Sequence, residues 1–127
     1  ESLVFGRNFS DHMLQIDWDA KTGWSQPTIM PLDDFKVHPA CTVFHYAIEC
    51  FEGLKAYKDK EGVVRMFRPD LNMRRLNYSM SRISLPAFHE DSLLELIKTL
   101  VKVDQAWIPT EEGTSLYLRP TAIATDT

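Results

Sequence analysis

The chain has 127 residues, 44% of them hydrophobic and 25% charged, with a net charge of −4, a balance that fits one soluble domain with a modest core and excludes disorder. Its apolar runs are short and broken by charges, so no membrane span is expected, and the acidic balance argues against nucleic acid as the main partner. Two cysteines, Cys41 and Cys50, and four scattered histidines match no disulfide scaffold or metal-ligand spacing.

No basic stretch precedes an apolar segment, so no signal peptide is visible, although an opening at Glu1 without Met leaves a removed targeting segment open. In chain order, residues 12–18 alternate, with Leu14, Ile16 and Trp18 on one side and Gln15 and Asp17 on the other, which predicts a half-buried strand. Gly23 and Pro27 punctuate the loop that follows, and residues 31–39 hold too many breakers for a helix. From 41 to 50 the spacing of Val43, Ala47 and Phe51, with Phe44 and Ile48, predicts a helix that Gly53 stops, by a left-handed turn or by close packing.

Residues 54–57 and 63–67 flank a polar, glycine-containing turn and predict a β-hairpin. Pro69 suits a first helical turn, and a helix over about 69–81 would carry Leu71, Leu76 and Met80 inward. A second helix, over 90 to about 105, has an apolar stripe of Leu93, Leu94, Ile97, Leu100 and Val101, with acids early and lysines late. Residues 115–125 predict a closing strand. Strands and helices without strict alternation imply an α+β fold, a mostly antiparallel sheet with helices packed on one face.

Charge is unevenly placed. Between Arg65 and Arg82 stand five arginines and one acid, Asp70, a candidate site for a small anion or simply a solvated face. Arg74 and Arg75 fall on the first long helix, and a guanidinium suits phosphate because its planar fork donates parallel hydrogen bonds. Tyr117 and Arg119, two apart on the closing strand, project together and could take a carboxylate or form an exposed cation–aromatic pair. Tyr46 and Phe51 are either core or pocket aromatics. No Gly-rich phosphate loop, Cys/His pair or Ser/His/Asp set is apparent, and the carboxylate pairs Asp33-Asp34 and Glu111-Glu112 look like loop solvation.

The run His45-Tyr46, four residues, then Phe51-Glu52-Gly53-Leu54-Lys55-Ala56-Tyr57 resembles a signature of the fold-type IV aminotransferases. Residues 67–76, from Phe67-Arg68-Pro69 to Arg74-Arg75-Leu76, and Leu116-Tyr117-Leu118-Arg119-Pro120 follow in the same register. Val4-Phe5-Gly6, Ser10-Asp11-His12-Met13 and residues 103–109 around Trp107 resemble the branched-chain subgroup specifically. The same fold type includes D-amino acid aminotransferases and aminodeoxychorismate lyases, which are the nearest rivals. A truncated, non-catalytic protein that binds a metabolite or a partner is the alternative of another class.

The resemblance implies that residues 1–127 are the N-terminal small domain of a branched-chain aminotransferase. Its cofactor, pyridoxal 5'-phosphate, would lie in the cleft with a larger C-terminal domain, which also carries the cofactor-bearing lysine. That lysine is outside this chain, so no catalytic residue is expected here and the chain alone is expected to be inactive, with weak cofactor binding. Arg75 takes the family's phosphate-binding position, and Arg74 is expected to be solvated. Phe5, Tyr46 and Phe51 take positions in the substrate pocket, and Tyr117 and Arg119 take the substrate face, where the guanidinium holds the side-chain carboxylate of glutamate. Lys55 is structural in the family. Partners implied are leucine, isoleucine, valine, their 2-oxo acids, glutamate and 2-oxoglutarate, the chain's own C-terminal domain, and a second subunit in a homodimer. Cytoplasmic and mitochondrial forms are both implied.

Overall fold

The computed structural model describes residues 2–127. Near the start, β1 (His12–Gln15) pairs antiparallel with β4 (Thr28–Pro31), and between them β2 (Trp18–Asp19) pairs with β3 (Gly23–Trp24) as a small hairpin. The alternating stretch expected over 12–18 thus forms ladder only as far as Gln15, because the chain turns away into that hairpin.

The expected helix over 41–50 is cut short. α1 (Thr42–Tyr46) ends at Ala47, which is left-handed at φ 51°, and the chain continues as β5 (Glu49–Phe51). The spacing of Val43, Ala47 and Phe51 fits a helix, but residues 49–51 find backbone partners far along the chain, in β9 (Thr121–Ile123). A non-local ladder decides this segment, and local periodicity cannot report it.

β6 (Leu54–Lys58) pairs with β7 (Val64–Met66) in the expected hairpin and, on its other edge, with β8 (Leu116–Leu118). The β5–β9 and β6–β8 ladders share one antiparallel register, with Phe51 opposite Thr121 and Leu54 opposite Leu118. In the gap between them the Glu52 N–H donates to the Pro120 carbonyl at 2.8 Å. The two ladders therefore act as one ribbon. Pro120 has no N–H to give, which is why the closing strand expected over 115–125 appears in two pieces.

α2 (Pro69–Arg82) and α3 (Glu90–Val103) cover one face of this ribbon, and a short 3-10 turn (Gln105–Trp107) follows. Leu54, Ala56 and Leu118 from the ribbon meet Met73 from α2, with Ile97 and Val101 from α3 and Ile108 beyond it. On α2 the buried stripe is Met73, Leu76 and Met80. Leu71 was expected inward but is only half-buried, since at ~100° per residue it lies about 160° around the helix from Met73. The result is the α+β arrangement of antiparallel strands with helices on one face.

One further tie fixes the edge of the core. Asp104, buried just after α3, accepts the His12 backbone N–H at 2.9 Å and meets His12 Nδ1 at 2.7 Å. Burial pushes its carboxyl up, but the hydrogen bonds from the His12 side chain and backbone and from Ser10 outweigh this and hold it below the ordinary value. No helix among the described residues is long and apolar enough to cross a membrane.

Candidate functional site

The ribbon sorts its side chains by strand alternation. Glu52, Leu54 and Ala56 point to the helices, while Phe51, Gly53 and Lys55 lie on the other face with Tyr117 and Arg119. Each face carries a distinct piece of chemistry.

On the helix face Glu52 is 3% exposed, a carboxylate where the neighbouring positions are apolar. Arg75 of α2 answers it with two parallel bonds, Nε to Oε1 at 2.5 Å and Nη2 to Oε2 at 2.8 Å. Asn72, one turn earlier, donates Nδ2–H to Glu52 Oε2 at 3.1 Å and to the Gly53 carbonyl at 3.2 Å, and the Gly53 N–H adds a fourth donor to the carboxylate. The Arg75 bond is the main reason the Glu52 carboxyl sits below its ordinary value, and the same contact raises Arg75. Arg75 itself remains 67% exposed at its side chain. Nε and Nη2 are engaged by Glu52, and no hydrogen bond is recorded for Nη1 among the described residues.

On the opposite face the Arg119 guanidinium carbon lies 4.1 Å from the centre of the Phe51 ring and 5.2 Å from that of Tyr117. Arg119 Nη2 also donates to the Tyr117 hydroxyl at 2.8 Å. Phe5 stands edge-on to Tyr117, with centroids 5.2 Å apart. Phe5, Phe51, Tyr117 and Arg119 therefore come together as one open cluster of three rings and a cation. Tyr46 does not join it: it is exposed at the end of α1, and no aromatic or cation contact links it to the others among the described residues. Lys55 is exposed, directly across the ladder from Tyr117.

Two arginines of the rich stretch are already paired with carboxylates. Arg65 pairs with Asp59 at 2.6 Å and Arg75 with Glu52, while Arg74 is exposed, as expected, and makes no ion pair among the described residues. Local sequence patterning assigns no role to Glu52 or Asn72. An acid with the same parity as Leu54 and Ala56 would have marked Glu52 as an inward carboxylate needing a cation, but the helical reading of 41–50 hid that parity.

A shallow groove of about 300 Å³ lies away from this cluster, between β7 and α3. No group of three or more potential metal ligands is present among the described residues.

An arginine held by a buried carboxylate is a sound single contact for a phosphate. Its charge is already balanced by Glu52, however, so one such contact gives limited affinity. Of the residues present, Arg75 is the one that would hold the phosphate of a pyridoxal cofactor.

No family model matches the chain. It is 52% identical over 123 residues to the branched-chain-amino-acid aminotransferase of Dictyostelium discoideum, covering 97% of this chain and 32% of that protein. It is 48% identical over 126 residues to the mitochondrial branched-chain-amino-acid aminotransferase of Rattus norvegicus, covering 99% of this chain and 32% of that one. The cytosolic enzyme of Mus musculus matches at 48% over 126 residues, covering 99% and 33% respectively. Among solved structures, the branched-chain amino acid aminotransferase from Escherichia coli aligns over 93% of this chain and 34% of its own, at 26% identity and a TM-score of 0.66. The chain spans about a third of the length of the curated relatives it matches.

Proposed function

We propose that this chain, homologous over nearly its whole length to branched-chain aminotransferases, serves as the small domain of such an enzyme. In this reading a larger domain completes the cleft, and a second subunit completes a homodimer. The enzyme moves the amino group of leucine, isoleucine or valine to 2-oxoglutarate. Pyridoxal 5'-phosphate, when bound, supplies the electron sink that the transfer needs.

The chain's own residues bind and orient. Arg75, fixed by Glu52 and Asn72, offers its remaining N–H groups to the cofactor's phosphate. Phe5 and Phe51 supply apolar wall for a branched side chain, and Tyr46 reaches that wall only once the rest of the assembly is in place. Arg119 provides the cation for the distal carboxylate of glutamate, and Tyr117 holds that cation while no carboxylate is present. The observation that carries the reading is Arg119 laid over Phe51 and bonded to Tyr117, a cation stored against an apolar surface. A pocket that takes both leucine and glutamate needs a cation it can withdraw.

Residues 1–127 alone are expected to show no transamination and weak cofactor binding. The test is a transamination assay with leucine and 2-oxoglutarate, run on these residues alone and on the complete polypeptide that contains them. Turnover by the complete polypeptide only is the expected result. Turnover by residues 1–127 alone overturns the division of labour proposed here, and none by either overturns the activity.

A further inference from the structure

Gly53 is a glycine in the middle of the ribbon, where a missing side chain weakens a strand unless something needs the space. Its backbone gives no reason for glycine, because the positive-φ glycines of the chain are at other positions. The reason is steric. A Cβ placed on Gly53 would overlap the Tyr117 hydroxyl and come within 2.9 Å of Tyr117 Cζ and 3.2 Å of Cε2. The phenol occupies the space of an absent side chain, with Phe5 edge-on to its ring. Its oxygen there accepts from Arg119 Nη2 at 2.8 Å, and Arg119 lies over Phe51 at 4.1 Å.

We propose that Gly53 is a specificity-determining position, whose missing side chain seats the Tyr117 hydroxyl where it holds Arg119 flat against Phe51. This rests on the reading above, that the Phe51–Arg119 face receives the substrate's side chain. With the phenol seated, Arg119 keeps a hydrogen-bond acceptor while an apolar side chain passes over the face. With the phenol displaced, the guanidinium loses that acceptor and must be desolvated unpaired beside leucine, which is costly. Glutamate brings its own carboxylate to the same guanidinium and is affected less. Gly53 thus acts through Tyr117, as a positioning residue without contact to the substrate.

The test compares G53A, Y117F and G53A/Y117F in the complete polypeptide, with kcat/KM for leucine and for glutamate and the NMR shift of the Arg119 δ-methylene protons. With the guanidinium carbon 4.1 Å from the Phe51 ring centre, these protons are expected to be displaced upfield in the parent. In G53A we expect that displacement to collapse and kcat/KM for leucine to fall about tenfold, the scale of one lost buried polar contact, with a smaller fall for glutamate. Y117F removes the acceptor without touching the strand and should shift selectivity in the same direction, which covers the case that G53A fails to fold. In the double variant, adding G53A to Y117F should change selectivity much less than G53A does in the parent. Equal losses for both substrates, a larger loss for glutamate, or an Arg119 resonance unmoved by either single variant overturns the proposal. A parent polypeptide that uses neither leucine nor glutamate overturns the reading beneath it, which the parent's own rates reveal before any variant is made.

Discussion

Glu52 and Arg75 are joined by two parallel hydrogen bonds across the packing of the ribbon on α2, one partner 3% exposed and the other open to solvent. The buried partner is the vulnerable one, since it has left water and depends on this contact.

Replacing Glu52 with Gln should destabilise the chain by about 1–3 kcal/mol at pH 7, the usual cost of weakening a buried charged hydrogen bond. The pH dependence has a definite sign. Because the folded carboxyl lies below its ordinary value, its contribution is complete above about pH 4.3 and is lost as the pH falls through the folded value. Urea denaturation of both proteins should therefore show a gap at neutral pH that narrows in acid. A gap that stays constant with pH would show that Glu52 stabilises by packing alone.

Asp104 holds β1 to the end of α3 through His12. An Asp104→Ala change leaves the His12 N–H without its acceptor and should cost about 1–3 kcal/mol. Amide hydrogen exchange at His12 should rise well beyond the change at Ile97 in the core. Uniform acceleration at both sites would mean that Asp104 supports the whole fold.

Met73 is fully buried at the meeting of α2, α3 and the ribbon. Truncation to Ala should cost about 2–5 kcal/mol through lost contacts and the cavity left behind. The same change at Leu71, off the buried stripe, should cost clearly less. Thermal or chemical denaturation of the two variants checks the ranking, and a reversed order would contradict the helix orientation.

Burial raises the Cys50 thiol, helped by the neighbouring charges of Glu49 and Glu52. Because the thiolate is the reactive form, alkylation by iodoacetamide at pH 7 should be slower than for a free thiol and should quicken as the pH is raised. Cys41, 1% exposed, should react only on unfolding. Rapid native-state labelling of Cys50 at neutral pH would contradict its environment.

Legibility followed the range of the interactions. The β6–β7 hairpin and both long helices were readable because turn chemistry, a proline at the helix start and the apolar stripe of α3 are local signals. Residues 49–51 were not, since their state depends on β9, some seventy positions away in the chain. The same distant pairing sets the parity of Glu52, and with it the contact with Arg75, beyond the reach of local periodicity. The candidate face was half visible: Tyr117 and Arg119 share a side by strand spacing alone, while Phe5 and Phe51 reach them only through the tertiary fold. Tyr46 stays apart from them in this structure.

The shared register of the two ladders makes the segment between Phe51 and Leu54 intolerant of length change. One inserted residue there would exchange the two faces of everything beyond it on that strand. If the ladder beyond kept its pairing, the strain would fall on Glu52 and Gly53, separating the carboxylate from Arg75 or the gap from the Tyr117 phenol. By contrast, the turn between β6 and β7, where Gly62 takes φ 82°, joins the two strands at the ribbon's far end and can lengthen without moving either cluster. Deletion and insertion scanning should therefore find, within a dozen residues, both the least and one of the most forgiving positions in the chain.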